Sequence, residues 1–246
     1  MRVLNSTILI VEDDLDIQQF LEDALKSYGF QPIPCATGTS ALQKFETNNI
    51  DLILLDVQLP DMNGFEICET IRKFSNIPII FVSCLQDGSD IIHGLELGGD
   101  DYVTKPFDLH QLIARIKSNL RRAPLFNRQL MTNEKPPRDT NQITIENLKI
   151  NFYLQKVFVN DEIVPLSNKE FLILSILAQN PNKVLNTHEL YTLIWGEESL
   201  GDTRTLKVHI SNLRKKLEEY TGHSNFIQTV RGLGYQFYLA EKNMNE

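Results

Sequence analysis

The chain has 246 residues, 42% of them hydrophobic and 23% charged, and a formal net charge of −8. That length gives one or two domains with real cores, and the composition is that of an ordinary globular protein. No apolar run approaches the roughly 18–20 residues of a membrane span.

Cys35, Cys68 and Cys84 are odd in number, scattered and without metal-ligand spacing, which fits a reducing compartment. The first residues run directly into a strand pattern and lack a signal peptide's apolar core, so the expected location is the cytoplasm. The charge is uneven. Residues 1–122 hold 18 Asp+Glu against 10 Lys+Arg, whereas residues 123–246 hold 14 of each. The acidic excess therefore does not argue against nucleic-acid binding by the second half. Within 204–231 six basic residues (Arg204, Lys207, Arg214, Lys215, Lys216, Arg231) face two acidic ones, and local clustering matters more than global charge.

In the first half, short apolar runs at 7–11, 31–36, 51–56, 78–83 and 102–104 alternate with amphipathic stretches near 16–28, 38–47, 64–73, 89–98 and 108–122. This alternation predicts an α/β fold, a doubly wound five-stranded parallel sheet with helices on both faces. The expected strand order is 2-1-3-4-5, the flavodoxin-like arrangement. The run 52–55 has no alternation and reads as a strand buried on both faces. It ends at Asp56, where ligands of such sheets bind.

The other strand ends carry chemistry too. The first ends in Glu12-Asp13-Asp14, the fourth in Ser83, and the fifth runs into Lys105-Pro106-Phe107. Singly, each has a plain reading, because Asp starts turns and caps helices. Together they bring two acidic groups, a hydroxyl and an ammonium to one sheet edge. Crowded carboxylates raise one another's pKa unless a cation joins them, and Mg²⁺ is the hard ion such a group suits.

Residues 123–142 lack periodicity, contain Pro136-Pro137 and read as a flexible linker. Beyond it, short alternating runs in 143–166 predict a small antiparallel sheet. Ser167-Asn168-Lys169-Glu170 matches a capping box, and Asn186 with Glu189 repeats the pattern. A long helix over 203–221 carries Leu206, Ile210, Leu213 and Leu217 on one buried face. A hairpin follows over 227–237, with glycines for its tight turn. Two short helices, a basic amphipathic helix and a hairpin make an α+β winged helix-turn-helix, expected to place the basic helix in the major groove of DNA.

The set Val11-Glu12-Asp13-Asp14, Leu55-Asp56-Val57-Gln58-Leu59-Pro60, Ser83 and Lys105-Pro106-Phe107 resembles the receiver domain of two-component response regulators, over about residues 6–122. The resemblance implies that Asp56 accepts a phosphoryl group from a sensor histidine kinase. It implies Mg²⁺ held by Glu12, Asp13, Asp56 and the Gln58 carbonyl, Lys105 and Ser83 on the phosphate, and Tyr102 as an aromatic switch that swings inward. A dimer through helix 4, strand 5 and helix 5 is expected. There Ile91 and Gln111 stand where a basic–acidic pair is usual, with Asp100, Asp101 and Arg115 available for other bridges. Cys84 follows Ser83, and Gln58 and Leu85 flank the pocket.

The run 204–217 with Thr229-Val230-Arg231-Gly232-Leu233-Gly234-Tyr235 resembles the OmpR/PhoB-type effector domain, over 143–240, with 241–246 a tail. By that resemblance Arg204, Lys207, His209, Ser211, Asn212, Arg214 and Lys215 face DNA, Arg231 lies in the wing, and the loop 195–202 meets RNA polymerase. Asn212 stands where arginine is common, which shifts the expected base preference from guanine toward adenine.

The expected function is a phosphorylation-dependent transcriptional regulator that binds promoter DNA as a homodimer. No enzyme activity is expected beyond Mg²⁺-dependent self-phosphorylation and slow autodephosphorylation. The alternatives are a regulator that binds DNA regardless of phosphorylation, and a metal-dependent phosphohydrolase using Asp56. The second would leave the DNA-binding half idle.

Overall fold

The computed structural model describes residues 5–120, 142–196, 203–222 and 226–239. In its first unit five parallel strands lie in the order β2-β1-β3-β4-β5, as the alternation predicts. They are β1 (Thr7–Val11), β2 (Gln31–Cys35), β3 (Leu52–Leu55), β4 (Ile79–Ser83) and β5 (Asp101–Thr104). The helices are α1 (Leu15–Ser27), α2 (Gly38–Thr47), α3 (Gly64–Arg72), α4 (Gly88–Glu96) and α5 (Leu109–Leu120). All four residues of β3 and all five of β4 are buried, because helices cover both faces of the sheet.

The prolines of β2 put it at an edge. Gln31 donates its amide to Ser6 O at 2.9 Å, so the alternate residues Gln31, Ile33 and Cys35 point their N–H toward β1. Pro32 and Pro34 occupy the outward positions, where a missing donor breaks no ladder bond.

Polar side chains start the helices. Asp14, Thr37 and Asn63 each accept a backbone N–H in the first turn of α1, α2 and α3, satisfying donors that a helix leaves open. Gly64 is required where α3 begins. A Cβ there would sit 2.1 Å from Asp56 O and 2.8 Å from Val57 Cα.

Asp61 gives α2 a second anchor. It accepts the Gly38 and Thr39 amides at 2.8 and 2.9 Å and the Thr39 hydroxyl at 2.8 Å. These bonds, the Thr39 amide first, hold its carboxyl down at about 2 against an ordinary 3.8. A depressed carboxyl contributes stability above its unfolded value and loses it as pH falls through its folded value. The gap in unfolding free energy between the protein and Asp61→Asn is therefore expected to be full above about pH 4 and to close toward pH 2, as urea titrations across that range would read. A pH-independent gap would contradict this assignment.

The second unit begins with a four-stranded antiparallel sheet in chain order, β6 (Gln142–Ile145), β7 (Leu148–Asn151), β8 (Lys156–Val159) and β9 (Glu162–Val164). Gln142, read as the last linker residue, is the first residue of β6. Next come α6 (Asn168–Ala178), β10 (Leu185–Asn186), α7 (Thr187–Trp195), α8 (Thr203–Thr221), β11 (Ile227–Val230) and β12 (Gly234–Phe237). The capping box is present, with Ser167 N on Glu170 Oε2 at 2.8 Å and Glu170 N on Ser167 Oγ at 3.4 Å. Asn186 caps α7, accepting Glu189 N at 2.7 Å.

Strand β10 is not visible in the sequence pattern. It adds two residues to β12, giving a sheet in the order β10-β12-β11. The core joins Leu148, Ile150 and Val157 from the first sheet to Phe171 and Leu174 of α6, Trp195 of α7 and Leu206, Ile210, Leu213 and Leu217 of α8. The linker residues 123–141, the loop residues 197–202 and the tail from 240 lie outside the described residues. Among the described residues no helix is long and apolar enough to cross a membrane.

Candidate active site and nucleic-acid interface

The order β1-β3-β4-β5 brings the chemistry-bearing strand ends together. Glu12 and Asp56 are 2% and 5% exposed, Ser83 is fully buried and Lys105 is 8% exposed. The Lys105 ammonium lies 2.8 and 2.7 Å from the Glu12 carboxylate oxygens and 2.6 Å from Asp56 Oδ2. Asp13 is exposed beside them, and Glu12, Asp13 and Asp56 each offer an oxygen within 4.8 Å of the others.

Burial pushes the Glu12 carboxyl above its ordinary range, against the pull of Lys105. For Lys105 burial lowers the pKa, but hydrogen bonds to Asp56 and Glu12 outweigh it and the net shift is upward. The site therefore holds its ammonium charged amid excess negative charge, and it has oxygen donors of the kind a hard divalent cation takes. Gln58 donates its amide to Asp56 Oδ1 at 3.2 Å, which keeps its backbone against the acceptor side chain.

Tyr102 is already turned in. It is 8% exposed, donates its hydroxyl to Leu85 O at 3.0 Å, and rests its ring 5.8 Å from that of Phe81. Burial pushes its phenol up to about 12, with the Ser83 hydroxyl partly offsetting this. The ring thus occupies the inward position in this structure. Ser83 Oγ accepts Leu85 N at 3.4 Å. Gln86, which the sequence did not single out, donates its side-chain amide to Lys105 O at 2.6 Å. Cys84 is exposed.

Three residues assigned to the dimer face, Asp100, Asp101 and Arg115, make ion pairs within the chain. Asp100 is fully buried. Its Oδ2 accepts Arg72 Nη2 at 2.8 Å and Ile79 N at 2.9 Å. Arg72 also donates to the carbonyls of Gly98 and Ile77 at 2.8 and 2.6 Å. Asp101 is 1% exposed and pairs with Arg115 at 2.7 Å within the same chain. Ile91 is half-buried and Gln111 exposed, so both remain at the surface.

In the second unit α8 exposes Arg204, Lys207, Ser211 and Lys215, a basic and hydroxyl stripe of the kind that lies on DNA phosphates and base edges. Arg231 is exposed in the wing turn, where Gly232 takes a φ of 76°. Two expected DNA contacts are displaced. His209 is fully buried with its ring 5.7 Å from that of Trp195, and Asn212 is 4% exposed. The buried face of α8 is wider than its leucine stripe, so the adenine preference argued from Asn212 has no exposed side chain to carry it.

Arg214 is half-buried and ties α8 to β11. It donates to Ile227 O at 2.9 Å and Thr229 Oγ1 at 2.8 Å. Burial lowers its pKa. Lys216 pairs with the capping residue Glu170 at 2.7 Å.

Comparison with known proteins agrees with this arrangement. Residues 8–117 match the model of the response regulator receiver domain, and residues 160–237 that of the C-terminal domain of transcriptional regulatory proteins. The chain is 37% identical to the alkaline phosphatase synthesis transcriptional regulatory protein PhoP of Bacillus subtilis, over 99% of this chain and 100% of that one. It is 38% identical to the sensory transduction protein RegX3 of Mycolicibacterium smegmatis, over 94% and 98%. Among solved structures, a mutant form of RitR superposes with a TM-score of 0.78 at 27% identity, covering 95% of this chain and 99% of that one. The chain belongs to the two-component response regulators, joining a receiver domain to an OmpR/PhoB-type DNA-binding domain.

Proposed function

We propose that Asp56 is the phosphoacceptor of a Mg²⁺-dependent switch that controls promoter binding by the second unit. The observation that carries this reading is the Lys105 ammonium held 2.6 Å from Asp56 and 2.7 Å from Glu12. A buried cation joining two buried carboxylates is a costly arrangement that positions charge for phosphoryl chemistry. Asp56 attacks phosphorus in line, forming an O–P bond as the N–P bond of a kinase phosphohistidine breaks and the imidazole keeps the electron pair. Glu12, Asp13, Asp56 and the Gln58 carbonyl would hold Mg²⁺, which neutralises charge on the transferring group. Lys105 shifts from Asp56 to a phosphoryl oxygen, and the Ser83 hydroxyl donates to another.

The new charge, about −1.5 to −2, biases the face formed by α4, β5 and α5 toward a homodimer. With Asp100, Asp101 and Arg115 in ion pairs within the chain, that contact is built on Ile91, exposed Ile92 and Gln111. Two-fold pairing delivers two winged helices to half-sites about 10–10.5 bp apart. The kinase that supplies the phosphoryl group and the promoter DNA are the partners.

A second reading, DNA binding without phosphorylation, is favoured by one observation, the inward Tyr102. DNA affinity measured with and without a small-molecule phosphodonor separates the two. The first reading expects tighter binding with phosphodonor, and equal affinities would establish the second. In either case Lys207→Ala and Lys215→Ala are expected to weaken binding to all sequences alike. Each should reduce the salt dependence by about one unit of slope in log affinity against log salt. An unchanged slope would remove these residues from the interface.

A further inference from the structure

We propose that Gln86 is a positioning residue that latches the β4–α4 loop to the end of β5 and so holds Tyr102 inward before any phosphoryl group arrives. The inference rests on the receiver reading above, in which Tyr102 reports the state of the switch. Two adjacent loop residues are tied to one strand end. The Leu85 carbonyl accepts the Tyr102 hydroxyl at 3.0 Å, and the Gln86 amide donates to the Lys105 carbonyl at 2.6 Å. Residues 102 and 105 belong to the same strand and its first turn, so the two bonds close a ring. The loop cannot lift from one anchor without straining the other.

The latch reaches the reacting groups through the backbone. Lys105 N donates to Ser83 O at 2.8 Å, and Lys105 carries the ammonium that meets Asp56. Gln86 thus grips the main chain of the residue that will hold the phosphoryl group, while its neighbour Leu85 receives the switch tyrosine. Gln86 itself is exposed, so its side chain is not held there by burial, and hydrogen bonding is its contribution. Any interaction that favours the inward state shifts the population by its differential strength. A neutral hydrogen bond of this kind changes a two-state ratio by about three- to ten-fold.

The test reads Tyr102 in the unphosphorylated full-length protein by ¹⁹F NMR after fluorotyrosine labelling, with the resonance assigned by Tyr102→Phe. Gln86→Ala removes the donor, Gln86→Glu keeps the length but presents an acceptor to a carbonyl, and Gln86→Lys restores a donor of similar reach. The expected result is a three- to ten-fold shift toward the outward signal in the Ala and Glu variants and a near wild-type ratio in the Lys variant. Identical ratios in all four proteins would overturn the latch, as would a shift in the Ala variant that the Glu variant does not share. The readout needs no phosphoryl transfer. A wild-type protein that takes up no phosphoryl group from phosphodonor and Mg²⁺ would fail the functional reading while leaving this result standing.

Discussion

Replacing Lys105 with alanine is expected to strengthen Mg²⁺ binding while slowing phosphoryl uptake about 100-fold or more. The two effects have opposite signs because one ammonium performs two tasks. Before reaction it occupies Glu12 and Asp56, 2.6–2.8 Å away, and so competes with any other cation for the same oxygens. Its removal leaves two buried carboxylates facing each other with only a metal ion to neutralise them. During reaction the ammonium is the preorganised charge for the transferring group. Losing one such donor costs about 10²–10³ in rate. Calorimetric Mg²⁺ titration and a mass-spectrometric time course with phosphodonor read the two effects separately. Weaker Mg²⁺ binding in the variant, or an unchanged rate of uptake, would contradict the arrangement.

Asp100→Ala is expected to destabilise the receiver unit by about 3–5 kcal/mol, the cost of breaking a buried ion pair from one side. The fully buried carboxylate receives both Arg72 and the Ile79 amide. Without it, the Arg72 Nη2 and the first amide of β4 lose their acceptor. Urea denaturation of the full-length protein, read by a receiver-specific probe, measures this. If Asp100 instead served a contact between subunits, the variant would unfold normally as a monomer and lose only its dimer.

The parallel sheet and its order were legible because a buried parallel strand has its own signature, a short apolar run ended by turn residues. The same signature located Asp56, Ser83 and Lys105, since the strand ends are where the fold gathers them. The burial of Asp100 and Asp101 was not legible because a charged side chain reads as surface in sequence. Their partners Arg72 and Arg115 lie 28 and 14 residues away, beyond what local pattern can connect.

His209 misled in a related way. It stands three residues after Leu206, on the shoulder of the stripe, but the family resemblance gave it an outward role. Packing against Trp195 decides its position, and that contact joins two helices. The two-residue strand β10 is too short to make a pattern and exists only because β12 offers it an edge. Gln86 gave no signal at all, since a glutamine in a loop carries none until its partner is known.

The most direct test of the central claim is intact mass together with size-exclusion chromatography, on the protein and on Asp56→Ala, each incubated with Mg²⁺ and a small-molecule phosphodonor. The expected result is one added phosphoryl group and a shift to dimer in the protein, with neither in the variant. A folded protein that gains no mass, or that gains it equally without Asp56, would contradict the account.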